Sequence, residues 1–160
     1  MNDQQNSQRG PVILLVEVDS SDVQLVKAAL KRTPGEITLV RVEDGDGAVN
    51  YLAGTGPYEN RDEYPLPLTM FLDIKLPKRS GFEVLHWLRS QAGPIKRLPT
   101  VMLTASKHRQ DVNRAFDQGA NAYVAKPDSI KELSALLGEF KGFWLGRLEF
   151  PDIGSRALGI

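Results

Sequence analysis

A doubly wound α/β domain, a five-stranded parallel sheet with helices on both faces, is the expectation for this chain. Three features carry it. Five short apolar runs alternate with five stretches of helical spacing. Three of those runs are almost continuous, as expected of strands covered on both faces. The length, 160 residues with 41% apolar content, suits one compact core.

VILLV (Val12 to Val16) reads as the first strand, and Val23, Val26 and Leu30 then recur on one helical face. ITLVRV (Ile37 to Val42) leads into a helix with Ala48, Val49 and Leu52 inward. LTMFL (Leu68 to Leu72) precedes Phe82, Leu85 and Leu88, and TVMLT (Thr100 to Thr104) precedes Val112, Ala115 and Phe116. AYVA (Ala122 to Ala125) precedes Ile130, Leu133, Leu137 and Phe140. Between the second helix and third strand, Gly54 to Pro67 is polar and rich in Gly and Pro, which predicts a surface loop. The chain divides into a polar tail (1–10), the domain (11–146) and an extension (147–160). Pro151 and Gly154 predict irregular structure in that extension.

Charge narrows the function classes. Twenty Lys and Arg balance twenty Asp and Glu, so nothing favours nucleic acid or a membrane surface as partner. There is no cysteine for disulfide or thiolate chemistry. The start, MNDQQNSQRG, lacks a signal-type apolar stretch, and no run reaches the ~18 apolar residues of a membrane span. A cytoplasmic protein is expected.

In an open parallel sheet, ligands bind beyond the carboxyl ends of the strands, where the strand order reverses. The first strand ends at Glu17, Val18 and Asp19, the third at Asp73, the fourth at Thr104, and the fifth runs into Lys126. These residue types suit phosphoryl transfer, which needs a nucleophilic oxygen and positive charge on the equatorial oxygens. Asp73 supplies the oxygen, Lys126 a point charge and Thr104 a hydrogen-bond donor, with Mg²⁺ neutralising a further oxygen.

FLDIKLP followed by GFE, then MLTA, then AKP resemble, in order and spacing, the response-regulator receiver domain of two-component systems. The resemblance covers residues 11–146 and implies the flavodoxin-like strand order 2-1-3-4-5. It implies that Asp73 accepts a phosphoryl group from a histidine kinase, assisted by Lys126 and Thr104. It implies Mg²⁺ held by Glu17, Asp73 and the backbone carbonyl of Lys75, and a switch formed by Thr104 and Tyr123. A phosphoacceptor of this kind turns over no external substrate. The resemblance also implies a homodimer or output face on the fourth helix, fifth strand and fifth helix. The long loop before the third strand and the tryptophan-bearing end look most like single-domain regulators that partner bacterial phytochromes. Phe143, Trp144, Leu145 and Leu148 run past the expected core and form a candidate interface, the alternative being that they fold back on their own domain. Residues 150–160 are too few for a DNA-binding domain, so output through protein contacts is expected.

Val18 departs from the family pattern. Two adjacent acids normally follow the first strand, the second ligating metal directly, and Val18 stands at that second position. Asp19 is the alternative ligand, although a shift of one residue in extended chain turns a side chain to the opposite face. Lys75, two residues past Asp73, either replaces part of the missing metal charge or pairs with Asp73 and blocks it. Two readings follow: a phosphoryl acceptor with weakened Mg²⁺ binding, and an interaction module that does not depend on phosphate. An aspartyl phosphatase needs a general acid where Lys75 stands, and a flavin site needs glycines that EVDSSD lacks.

Overall fold

The computed structural model describes residues 10–31 and 36–154. Five parallel strands, β1 (Val12–Val16), β2 (Thr38–Val42), β3 (Thr69–Leu72), β4 (Thr100–Thr104) and β5 (Ala122–Ala125), pair in the order β2-β1-β3-β4-β5. The helices are α1 (Ser20–Lys31), α2 (Gly45–Ala53), α3 (Gly81–Arg89), α4 (Arg109–Asp117) and α5 (Ile130–Phe140). The three near-continuous apolar runs are the three inner strands, and every residue in them is buried.

Alternation along the strands divides the core into two layers. Ile13, Leu15, Phe71, Val101 and Leu103 pack against α1 and α5 through Val23, Val26, Leu133 and Leu137. Leu14, Val16, Met70, Leu72 and Met102 pack on the other face against α2, α3 and α4. Two expected core residues are exposed instead: Phe116 on α4 and Ile130 at the start of α5. Only Ala115 of α4 is fully buried, so that short helix covers its face of the sheet thinly.

Local chemistry sets the helix starts. Asp44 accepts from the Gly47 amide at 2.7 Å to open α2. Ser80 and Glu83 form a reciprocal capping box at α3, and Ser129 accepts from the Glu132 amide at α5. The polar loop before β3 is more ordered than its composition suggests. Tyr58 and Tyr64 pack on the buried Tyr51, while Arg61 donates to the carbonyls of Tyr51 and Leu52 at the end of α2.

The C-terminal region divides between the two readings left open by the sequence. After α5 the chain forms one π-helical turn, Lys141–Leu145. Trp144 stacks on Phe140, whose ring meets Phe71, and Trp144 and Leu145 pack against the α1–α5 core layer. Within the candidate interface, only Phe143 and Leu148 remain exposed. The following residues are irregular, as Pro151 and Gly154 predicted, yet Ile153 is buried in the α2–α3 layer. The tail, 1–9, and the last residues, 155–160, lie outside the described residues. Among the described residues, no helix is long and apolar enough to cross a membrane.

Candidate functional site

Strand register brings the polar strand ends to one place. Val16 pairs with Leu72, so Glu17 and Asp73 leave β1 and β3 at the same level. Thr104 pairs with Ala125, which puts Lys126 next to the end of β4, its amide donating to the Thr104 carbonyl at 2.7 Å. β1, β3, β4 and β5 therefore each supply one of the expected residues, beside the point where the order reverses between β1 and β3.

Lys126 is the centre of the cluster. Its Nζ donates to Glu17 Oε2 at 2.6 Å, to Asp22 Oδ2 at 2.7 Å and to Asp73 Oδ2 at 3.2 Å. Three donors meet three carboxylates, which satisfies the ammonium fully. Burial is the largest influence on Glu17 and, despite the Lys126 bond, pushes its carboxyl up to about 7. Lys126 moves upward too: burial opposes its charge, but its bonds to Asp22 and Glu17, with the Asp73 charge, outweigh that. Asp73 is 8% exposed, and its Oδ1 accepts from the Ile74 amide at 2.7 Å.

The other expected residues divide. Thr104 is buried at the end of β4, beside the cluster. Tyr123 is half-buried, its hydroxyl donating to the Ser106 carbonyl at 2.8 Å, which ties β5 to the β4–α4 loop. Asp19 is exposed and turned to the start of α1. Its Oδ1 accepts from the Ser21 and Asp22 amides and caps α1, the opposite-face outcome of a one-residue shift. Lys75 does not block the acceptor either: its side chain is exposed, and the cation on Asp73 is Lys126.

Two residues at the site were not anticipated. Asp22 lies in the first turn of α1, where an acid reads as a partner for the helix dipole. Its reach to Lys126 depends on how α1 docks. Arg41 breaks the apolar pattern of β2, which is the only sequence signal for it. Its guanidinium donates to the carbonyls of Glu17 at 2.9 Å and Val18 at 3.0 Å, fixing the backbone at the departure point.

Mg²⁺ needs several oxygens in near-octahedral array. Here the gathered carboxylates already face an ammonium, and Val18, 44% exposed, brings no side-chain oxygen. Among the described residues, no three His, Cys, Asp or Glu side chains are grouped to hold a metal ion. As arranged, the residues do not fit a resident Mg²⁺.

Comparison with known proteins agrees with this geometry. Residues 13–137 match the response regulator receiver domain. The chain belongs to that family. Response regulator Rcp1 of Synechocystis sp. is 35% identical over 151 residues, spanning 94% of this receiver and 99% of that protein. The probable methanogenesis regulatory protein FilR2 of Methanothrix harundinacea is 32% identical over 135 residues, 84% of each chain. Among solved structures, the Mn(2+)-bound form of Rcp1 aligns with a TM-score of 0.81 at 34% identity. The phosphorylated cyanobacterial phytochrome response regulator RcpA aligns at 0.83 and 31%. Each alignment covers 89% of this receiver and 99% of the other chain. The receiver is thus related to phytochrome response regulators.

Proposed function

We propose that this receiver accepts a phosphoryl group on Asp73 from the phosphohistidine of a histidine kinase and signals through protein contacts. The observation that carries the reading is the placement of Asp73 within reach of Lys126 and beside Thr104. An oxygen of Asp73 attacks phosphorus, and the new P–O bond forms as the P–N bond to imidazole breaks. The electron pair stays on the imidazole nitrogen, which takes up a proton from water. Lys126 turns from its acids toward a phosphoryl oxygen, and the Thr104 hydroxyl donates to another. Turnover of an external substrate is no part of this reading. The likeness to RcpA and Rcp1 supports a phytochrome as the kinase partner.

A second reading has its own observation. Three carboxylates hold Lys126 while Val18 stands in the metal-binding position, which suits a module whose contacts do not depend on phosphate. Mass spectrometry after incubation with acetyl phosphate and Mg²⁺ separates the two. One added phosphate, absent in Asp73→Asn, is expected, with the rate raised roughly tenfold or more by Val18→Asp. Asp22→Asn is expected to raise it severalfold by releasing Lys126. No added mass, even in Val18→Asp, removes phosphoryl transfer and leaves the interaction module.

A homodimer belongs to the same proposal. Phe116, Ile130, Phe143 and Leu148 give α4, α5 and the turn after it an exposed apolar set. Sedimentation velocity is expected to show a dimer that Phe143→Glu weakens at least tenfold. A monomer at all concentrations removes this part.

A further inference from the structure

The oxygens gathered around Asp73 are already engaged. Glu17 accepts from Lys126 on Oε2 at 2.6 Å and from the Asp19 amide on Oε1 at 3.0 Å. Asp73 accepts from Lys126 on Oδ2 at 3.2 Å and from the Ile74 amide on Oδ1 at 2.7 Å. The backbone carbonyls of Glu17 and Val18 accept from the Arg41 guanidinium at 2.9 and 3.0 Å. Val18 adds no side-chain oxygen, and the Asp19 carboxylate is taken up by amides at the start of α1. Magnesium would have to break several of these bonds to collect a near-octahedral oxygen set, and the Lys75 carbonyl makes no such set alone.

Asp22 decides which cation the acids hold. With Glu17 and Asp73 alone, the Lys126 ammonium would have two carboxylates for its three N–H groups. Asp22, reaching in from α1 at 2.7 Å, supplies the third. Its side chain is 29% exposed, so the acid that completes the set stands at the solvent side of the cluster. An ammonium tethered to β5 loses no translational freedom in this position, whereas a free ion does, and magnesium also sheds its water reluctantly. Arg41 sets a second positive charge at the Glu17 and Val18 carbonyls, which further disfavours a divalent ion there.

We propose that Lys126, fixed by Asp22, is the resident cation of this site, and that Asp73 takes its phosphoryl group without a divalent metal. The second half rests on the reading of Asp73 as acceptor; the first half does not. Asp22 is a positioning residue in this scheme, acting on the reaction only through Lys126. The positive charge available to the transferred group is then that of one ammonium, so transfer is slow and indifferent to magnesium.

The test titrates the full chain, ¹⁵N-labelled, with manganese(II), whose unpaired electrons broaden amide resonances near a bound ion. In the wild type, the Val18, Ile74 and Lys75 amides are expected to broaden no sooner than those beside the exposed Asp128. Val18→Asp combined with Asp22→Asn supplies the missing oxygen and loosens Lys126. There the same amides are expected to broaden saturably, with affinity about tenfold or more above wild type. Selective, saturable broadening of these amides in the wild type overturns the proposal, whether or not the double variant folds. Acetyl phosphate is then supplied with Mg²⁺ or with EDTA and the added mass followed. An Asp73 oxygen bonds to phosphorus as the P–O bond to the acetyl group breaks, its electron pair leaving on acetate. The wild-type rate is expected to agree within about twofold in the two media, and the double-variant rate to fall about tenfold or more in EDTA. A wild-type rate that falls tenfold in EDTA overturns metal independence. If the wild type gains no phosphate in either medium, the reading of Asp73 as acceptor fails by itself. The manganese titration then still decides the resident cation, with unselective broadening upholding Lys126 and selective broadening overturning it.

Discussion

At the residue scale, the site is governed by one cation shared among three acids. Glu17 illustrates the consequence, being only 2% exposed and held by Lys126 at 2.6 Å. Burial outweighs that contact and raises its carboxyl from 4.5 to about 7. Between those values the folded state binds more protons than the unfolded one, so stability is highest on the acid side and falls as pH rises through the window. Chemical denaturation from pH 4.5 to 7 is expected to show wild type losing on the order of 1–3 kcal/mol relative to Glu17→Gln. Parallel pH profiles for the two proteins would contradict this. Val18 belongs to the same scale. Sequence read it as a departure from the family pattern, and structure adds that Arg41 pins its backbone carbonyl. Asp22 stayed hidden because an acid in a first helical turn already has a sufficient local explanation, and only the docking of α1 shows otherwise.

At the element scale, the strands were the most legible part of the chain. Buried strands announce themselves by continuous apolar runs, and the three inner ones coincide with those runs. The helices were legible where a face is deeply covered, as in α1 and α3, and less so in α4 and α5. Phe116 and Ile130 obey the helical period yet face solvent, since period alone does not tell which stripe meets the sheet. The Gly54 to Pro67 loop was read as polar surface because its order comes from Tyr51 and Arg61 contacts that composition does not encode. The junction of β3 and α3 offers the sharpest test of element docking. A Cβ at Gly81 would lie 2.0 Å from the Asp73 carbonyl oxygen and 2.9 Å from Ile74 Cα, both backbone atoms that cannot swing aside. Gly81→Ala is expected to lower stability by about 1–3 kcal/mol in urea melts, with the midpoint shifted and the slope unchanged. Because the crowded atom is the backbone of Asp73, the proposed acceptor, phosphorylation by acetyl phosphate is expected to fall as well. A stable Gly81→Ala with normal acceptance would mean that α3 can slide without moving Asp73.

At the scale of the whole molecule, the C-terminal region joins the two core layers. Trp144 and Leu145 pack on the α1–α5 side, and eight residues beyond Leu145, Ile153 inserts into the layer formed with α2 and α3. Arg97 holds the intervening chain at the Asp152 carbonyl, and the Asp152 side chain accepts from the Gly154 amide at 3.0 Å. A lone isoleucine in an irregular stretch has no periodicity, so sequence identified the conformation there but not the burial. The strap should therefore contribute to global stability. Ile153→Ala removes most of a side chain that is 2% exposed in a packed layer, and is expected to cost about 2–4 kcal/mol. Phe143→Ala, at a side chain 63% exposed, is expected to stay within about 0.5 kcal/mol in the monomer. Urea melts at low protein concentration measure both. If Ile153→Ala melts like wild type, the strap is an ornament on a domain that is complete without it. If instead the whole transition moves as one, the two layers and the segment that spans them unfold together, and the domain's cooperative unit extends past the end of α5.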